Sequence, residues 1–169
     1  MANQNPSPEA AVLRISREFQ APRSLVFAAF SEAKHLAAWW GPVGYQLKVI
    51  SLDFRPGGLF HYKMTSPERV MWARFIYGKI KKPSLIEFTL SFSDENAGIT
   101  RAPFFDSWPL EIFNRLSFSE KDSRTTIVSE SYPLNATEQE RRTFVRERSS
   151  FDGGLNATFD QLALLLSRI

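Results

Sequence analysis

The chain has 169 residues, of which 43% are hydrophobic and 23% are charged, and its 21 basic and 18 acidic residues give a net charge of +3. These values are typical of one soluble globular domain with a sizeable core. The basic residues are scattered, which argues against a nucleic-acid partner, and the absence of cysteine excludes disulfides, thiol catalysis and cysteine-ligated zinc. No apolar run is long enough to cross a membrane and no signal-peptide pattern is present, so we expect a cytoplasmic protein without a membrane partner.

Aromatic residues make up 14% of the chain and include fifteen Phe and four Trp. Two interpretations stay open for this surplus. One is a core that is built largely from Phe, and the other is an aromatic-lined cavity, because apolar binding sites favour such side chains.

The first residues, 1–8, are rich in Asn, Gln, Ser and Pro, which predicts a disordered tail. Residues 9–169 are predicted to form a single domain without internal repeats. Its first element is a half-buried strand, in which Leu13, Ile15 and Phe19 alternate with polar residues.

Two short helices are predicted next. Pro22 suits the first turn of the first helix, and Ser31 is a candidate N-cap for the second. The second helix is predicted to end at Trp39, because Gly41 and Pro42 follow closely.

From Tyr45 onward the apolar residues recur at every second position, which predicts six more strands joined by turns. Their predicted ranges are 45–54, 59–65, 70–80, 86–93, 110–119 and 125–132. The long loop before the fifth of these, residues 94–109, is of a length that often carries function.

The last segment, residues 137–169, is predicted to be a long amphipathic helix. Thr137 and Glu140 have the spacing of a capping box at its start. Gly153 and Gly154 lie inside the helical pattern, so we expect the helix to bend or restart there, or its backbone to pass close to a neighbour or a ligand. The apolar stripe consists of Phe151, Leu155, Phe159, Leu162, Leu166 and Ile169.

This order of elements predicts an α+β fold. Sequential strands with short turns form an antiparallel sheet of about seven strands. Most strands have one apolar face, so one side of the sheet must be covered, and the long C-terminal helix is the candidate cover.

Two stretches, Trp39-Trp40-Gly41-Pro42 and Asp53-Phe54-Arg55-Pro56-Gly57-Gly58, are the most specific of several that carry a family resemblance. The chain resembles the START-like (SRPBCC) superfamily over about residues 11–169, and within it the heat-shock-protein-90 ATPase activator homologue family. The resemblance implies the helix-grip fold, in which the sheet wraps around the C-terminal helix and two short helices separate strands 1 and 2. The chain departs from the family pattern at Phe75, where a small residue is expected, and at Leu155, where Trp is frequent.

The resemblance leaves three functions open. The first is binding of a small hydrophobic or aromatic ligand between the sheet and the C-terminal helix. The second is a co-chaperone-like role, tied to the stress response, as an activator of the heat-shock protein 90 ATPase. The third is an enzyme similar to polyketide cyclases and dehydratases. The protein is expected to be a monomer or a homodimer.

The sequence offers little support for catalysis or for a cofactor. It has two histidines, His35 on a predicted surface helix and His61, which alternates with Phe60 and Tyr62 and is therefore predicted to face solvent. Without a second nearby His and a carboxylate, a metal site or a His-activated nucleophile is unsupported. We therefore assign no catalytic residue, no cofactor and no metal, and favour a protein that is not an enzyme.

The best sequence argument for a cavity is that Ser129 and Ser131 share the covered face of the sheet opposite the glycine pair. Asp53 and Arg55 can pair at a turn, either as a polar anchor at the cavity mouth or as a structural pair. The predicted lining consists of Trp40, Tyr45, Phe60, Tyr62, Met64, Phe75, Tyr77, Phe88, Phe92, Trp108, Ile112, Ser129, Phe151, Gly154 and Leu155.

Overall fold

The computed structural model describes residues 11–169, in which seven strands and three helices follow each other in the predicted order. The predicted tail, residues 1–8, lies outside the described residues. The elements are β1 Leu13–Phe19, α1 Arg23–Ser31, α2 Ala33–Trp39, β2 Gln46–Leu52, β3 Leu59–Thr65, β4 Val70–Lys81, β5 Leu85–Ser93, β6 Glu111–Lys121, β7 Arg124–Leu134 and α3 Glu138–Leu166. The prediction of an α+β helix-grip fold is confirmed.

The seven strands form one antiparallel sheet in the order β1-β7-β6-β5-β4-β3-β2. Strands β2 to β7 pair with their neighbours in sequence, as short turns dictate. Strand β1 instead pairs with β7, with Leu13 opposite Ser131 and Phe19 opposite Thr125. The two short helices occupy the connection between the two edge strands, β1 and β2.

Helix α3 begins with the predicted capping box. The Thr137 hydroxyl accepts a hydrogen bond of 3.1 Å from the Glu140 backbone N–H, and the Glu140 carboxylate accepts one of 2.8 Å from the Thr137 backbone N–H. The helix then continues without a break to Leu166, so it does not restart at Gly153 and Gly154. A Cβ added at either glycine would meet no atom within 4 Å, so the expectation of a close approach to a neighbour is wrong.

The two ends of α3 are packed, whereas its middle is not. Phe144 is buried near the start, and Phe159, Leu162 and Leu166 are buried in the last turns. Phe159 contacts Phe19 of β1 edge to face, with ring centroids 5.8 Å apart. Among the strands, β1 and β7 come closest to the α3 backbone, so the helix lies farther from the opposite half of the sheet.

The predicted cap of the second helix is wrong. Ser31 is the last residue of α1, where its hydroxyl donates to the Ala28 carbonyl oxygen, and Glu32 takes the N-cap position of α2 without a side-chain cap. The two helices follow each other without a loop because one extended residue, Glu32, is both the C-cap of α1 and the N-cap of α2. The buried Trp39 holds the two helices together through an indole N–H bond of 2.8 Å to the Ala29 carbonyl oxygen.

The prediction that His61 faces solvent is also wrong. His61 does lie on the face opposite Phe60 and Tyr62, but only 4% of it is exposed. Its ring stacks on Trp72, and Nε2 lies 3.2 Å from the carbonyl oxygen of Asp94. The turn that follows β5 folds back over this part of the outer face, and strand alternation alone carries no information about such a cover.

Candidate functional site

A cavity of about 400 Å³ lies between the inner face of the sheet and the middle of α3. Its size falls within the range of small-molecule sites, roughly 300–1,000 Å³. The residues that line it are Trp40, Gly41, Pro42, Val43, Tyr62, Met64, Met71, Ala73, Leu90, Ser91, Phe92, Phe104, Trp108, Pro109, Ile112, Asn114, Ser150, Phe151, Gly154, Leu155, Ala157 and Thr158.

The floor of the cavity is formed by neighbouring strands of the sheet. Ala73 of β4 lies in register between Tyr62 of β3 and Phe92 of β5, and Ile112 of β6 continues this floor beside Leu90. Because the Ala73 side chain is a single methyl group between two rings, the floor is depressed at this point.

The middle of α3 forms the roof of the cavity, and small residues on it take up little of the space between helix and sheet. Gly154 and Ala157 both line the cavity, together with the larger Phe151 and Leu155. The empty surroundings of a Cβ at Gly154 mean that the helix presents open space there. Gly154 therefore borders the gap between the helix and the sheet, whereas Gly153 does not line it.

The rim is formed by the segment after α2 on one side. Gly41 has a φ of +102°, which a residue with a side chain rarely adopts, and its carbonyl oxygen accepts hydrogen bonds from Thr158 at 3.1 Å and from Gln161 at 2.9 Å. These bonds fix the segment to α3. Val43 then projects outward with 63% of its surface exposed, at the edge of the cavity.

The long β5–β6 loop forms the other side of the rim. Arg101 pairs with Glu140 at 2.6 Å, and the hydroxyls of Ser107 and Thr143 lie 2.6 Å apart, so two bonds tie the loop to the first turns of α3. Trp108 is buried beneath the loop against α3, whereas Phe104 is 45% exposed at the mouth. The loop therefore supplies both wall and entrance.

Asn114 and Tyr62 bring polar groups to the apolar floor. Asn114 is only 6% exposed; its Oδ1 accepts a hydrogen bond of 2.7 Å from Ser131, and its Nδ2 donates one of 2.9 Å to the Ile112 carbonyl oxygen. Burial raises the pKa of Tyr62 well above its usual range, although the neighbouring Trp40 side chain lowers it. Tyr62 therefore stays neutral near pH 7 and can donate a hydrogen bond.

Nine of the fifteen side chains predicted to line a cavity lie on this wall. They are Trp40, Tyr62, Met64, Phe92, Trp108, Ile112, Phe151, Gly154 and Leu155. The other six lie elsewhere: Tyr45, Phe60, Phe75, Tyr77, Phe88 and Ser129.

Most of the six are packed in a separate aromatic cluster on the same face of the sheet. Phe75 stacks on Phe88 with ring centroids 3.9 Å apart and meets Phe60 edge to face at 5.1 Å. The bulk of Phe75, at a position where the family pattern predicts a small residue, thus fills space that a smaller residue would leave open. Both interpretations of the aromatic surplus therefore apply: a core built from Phe around Phe75 and Phe88, and an aromatic-lined cavity beside it.

The predicted pair of Asp53 and Arg55 forms, with Arg55 Nε 2.7 Å from Asp53 Oδ2. The two side chains are 48% and 73% exposed and do not line the cavity, so the pair sits at the β2–β3 turn as a surface contact. The hydrogen bond that Arg55 donates to Asp53, together with the negative charge of that carboxylate, raises the pKa of Arg55. Their geometry fits the structural alternative, not an anchor at the mouth.

The wall includes residues that sequence reasoning missed, above all Asn114, Ala73, Val43 and Phe104. A signal existed for Asn114, since it takes an inward position of β6 between Ile112 and Leu116, where the pattern calls for an apolar residue. No such signal marked Val43 or Phe104, because their loops acquire a position only through tertiary contacts.

Among the described residues, 11–169, those on the cavity wall include no Asp, Glu, His, Lys or Arg. Within residues 11–169, no three side chains of the types that bind metals come together, and no helix has the length and apolar character to cross a membrane. The arrangement suits the binding of an uncharged molecule better than acid–base chemistry, which needs a group that titrates near the working pH.

Comparison with known proteins places this geometry in context. The family described as Activator of Hsp90 ATPase homolog 1-like protein matches residues 20–167. Among curated proteins, none matches the chain significantly.

Solved structures share the fold at low sequence identity. A protein from Arthrobacter aurescens is 23% identical with a TM-score of 0.80, over 95% of this chain and 88% of that one. A protein from Mycobacterium smegmatis is 23% identical with a TM-score of 0.76, over 95% and 93% of the two chains. A protein from Silicibacter pomeroyi is 22% identical with a TM-score of 0.67, over 93% and 98%.

Proposed function

The chain belongs to the Activator of Hsp90 ATPase homolog 1-like protein family, and from this premise we propose that it binds a small apolar or aromatic molecule between the sheet and α3. The observation that carries the proposal is the cavity of about 400 Å³ between the sheet and the middle of α3, which Gly154 lines. Protein interiors are normally close-packed, with few voids larger than a water molecule. A space of this size, with an exposed apolar rim, is a reason to expect an occupant.

Apolar burial would supply most of the binding energy. A two-ring aromatic molecule that buries 150–250 Å², as a large aromatic side chain does, gains about 4–6 kcal/mol at ~25 cal/mol per Å². That corresponds to a Kd of roughly millimolar to tens of micromolar. Hydrogen bonds to a few polar groups would add specificity.

The glycine pair offers a matched test of the proposal. Gly154 lines the cavity and Gly153 does not, yet neither has a neighbour within 4 Å of an added Cβ. The variants Gly154→Leu and Gly153→Leu therefore change helix propensity equally, but only the first places a side chain in the cavity.

The probe is N-phenyl-1-naphthylamine, a neutral dye whose fluorescence rises in apolar surroundings. We expect saturable binding to the wild type and to Gly153→Leu, and a loss of at least tenfold in affinity for Gly154→Leu. Equal binding by both variants, or no binding by a folded wild type, would contradict the proposal.

The family description supports a second proposal, activation of the heat-shock protein 90 ATPase. This role needs an interaction surface and not a cavity, so Gly154→Leu should leave it unchanged. An ATPase assay of the purified chaperone with and without this protein tests it directly, and a rate that stays at the basal value would rule it out.

A cyclase- or dehydratase-like activity has less support. Among residues 11–169, Tyr62 is the one ionisable side chain on the cavity wall, and its raised pKa keeps it protonated near neutral pH. None of the described side chains on the wall is therefore suited to act as a general base near neutral pH.

A further inference from the structure

The neutrality of the cavity restricts what it can hold. In the part of the chain that the structure describes, no side chain on the cavity wall carries a charge near neutral pH. Moving an ionised group into apolar surroundings without a partner is strongly unfavourable. A ligand that enters fully should therefore be uncharged.

Asn114 is the polar group best placed to recognise such a ligand. Two hydrogen bonds fix the orientation of its amide group. The Ile112 carbonyl oxygen can only accept, so the group that faces it must be Nδ2, and the Ser131 hydroxyl donates to Oδ1 on the other side. The amide nitrogen carries two hydrogens, and Ile112 takes one of them. Within residues 11–169, no acceptor pairs with the second N–H, and Asn114 lines the cavity.

The position of Asn114 makes its polarity unusual. Its neighbours two residues away on the same face are Ile112 and Leu116, and its cross-strand partners are Phe88 on β5 and the polar Ser131 on β7. An amide among apolar side chains costs stability unless its hydrogen bonds are satisfied. An apolar residue of similar size would pack there without that cost, so the amide needs another reason.

We propose that Asn114 selects and orients the ligand by donating its free N–H to a neutral acceptor, a carbonyl or ether oxygen, on an otherwise apolar molecule. The inference rests on the proposed ligand binding. An engineered apolar cavity of about 150 Å³ holds benzene, so the space here accommodates two fused rings with a short substituent.

Three probes of one shape test the inference by competition with N-phenyl-1-naphthylamine. 2-Acetonaphthone carries a carbonyl, 2-ethylnaphthalene replaces it with a methylene group, and 2-naphthoate carries a charge. We expect the ketone to bind about tenfold more tightly than the hydrocarbon, as one added hydrogen bond implies, and the carboxylate to bind more weakly than both.

Two variants assign the preference to Asn114. Asn114→Leu should abolish the advantage of the ketone and leave the affinity for the hydrocarbon at least as high. If this variant does not fold because Ser131 loses its acceptor, the double variant Asn114→Leu/Ser131→Ala removes both polar partners and restores an apolar surface.

The outcomes separate the two proposals. Equal affinities for ketone and hydrocarbon, a preference that survives in a folded variant, or tight binding of 2-naphthoate would each overturn the role of Asn114 while ligand binding stands. If none of the probes binds to the folded wild type, the proposed function fails and this inference fails with it.

Discussion

The guanidinium of Arg101 lies 2.6 Å from the carboxylate of Glu140, and this bond ties the long β5–β6 loop to the first turn of α3. Glu140 also closes the capping box of α3 through Thr137. The Glu140 carboxylate thus bonds both to the first turn of α3 and to the loop at the mouth of the cavity. We therefore expect the loop to be more mobile when this carboxylate loses its partner.

Arg101→Gln should loosen the loop with a small effect on the whole domain. Half of the Arg101 side chain is exposed, so we expect the free energy of unfolding to fall by only about 1 kcal/mol. Amide hydrogen exchange in residues 101–109 should become faster. Arg124→Gln is the control, because its pair with Glu18 spans 3.7 Å between exposed side chains. Unchanged exchange in the loop of Arg101→Gln would contradict this coupling.

The charge on Glu140 should make stability depend on pH. Burial opposes ionisation of this carboxyl, but hydrogen bonds from Thr137 and Arg101 outweigh it and hold the pKa of Glu140 below its ordinary value. A pKa that is lower in the folded state stabilises the protein above the unfolded-state value, about 4.3, and this contribution is lost as the pH falls through the folded-state pKa.

Glu140→Gln keeps a capping side chain and removes the charge. Its free energy of unfolding, from urea denaturation, should therefore fall furthest below that of the wild type near neutral pH. The difference should shrink below about pH 4. A difference that stays constant across this range would mean that the charge is not what stabilises the contact.

Removing the hydroxyl group from each of the two buried tyrosines of the sheet, Tyr62 and Tyr77, should change the stability of the protein in opposite directions. Within residues 11–169, the Tyr77 hydroxyl is buried without a hydrogen-bond partner, whereas the Tyr62 hydroxyl interacts with the Trp40 side chain. Tyr77→Phe should therefore raise stability by about 1 kcal/mol, and Tyr62→Phe should lower it by a similar amount. For a chain of this length, each change corresponds to roughly 2–4 °C in Tm. A Tyr77→Phe variant that is the less stable of the two would show that its hydroxyl has a partner.

Gly153→Ala should stabilise the protein. Gly153 is inside a continuous helix with open space around it, so the gain in helix propensity, about 1 kcal/mol, is not offset by a clash. Gly58→Ala is the contrasting variant, because its Cβ would lie 1.9 Å from the Asp53 carbonyl oxygen. Thermal denaturation of both variants is the measurement, and destabilisation by Gly153→Ala would mean that α3 is distorted at this point.

The order of elements, the antiparallel sheet and the capping box could be predicted because each depends on residues close together in sequence. Periodicity also placed Tyr62, Met64 and Ile112 on the inner face. The same periodicity could not separate the filled part of that face, around Phe75 and Phe88, from the open part around Ala73. That division depends on where α3 crosses the sheet, which is set by contacts with β1 and β7.

The remaining differences between the sequence predictions and the structure arise from loops. His61 is buried because the turn at Asp94 covers an outer face that alternation leaves open to solvent. Phe104 and Val43 reach the mouth of the cavity because Arg101 and Gly41 anchor their segments to α3. Such anchors join residues far apart in sequence, so no local pattern predicts them.

The methionine methyl groups give the most direct test of the central claim. Met64 and Met71 line the cavity, and Met1 is the only other methionine in the chain. In protein labelled with ¹³C at the methionine methyls, a titration with 2-acetonaphthone should shift the signals of Met64 and Met71 together and to saturation, because the ring current of a bound aromatic acts over a few ångströms. The signals are assigned with Met64→Leu and Met71→Leu. If neither signal moves in the folded protein at probe concentrations well above the expected Kd, the cavity does not bind this class of ligand and the account is contradicted.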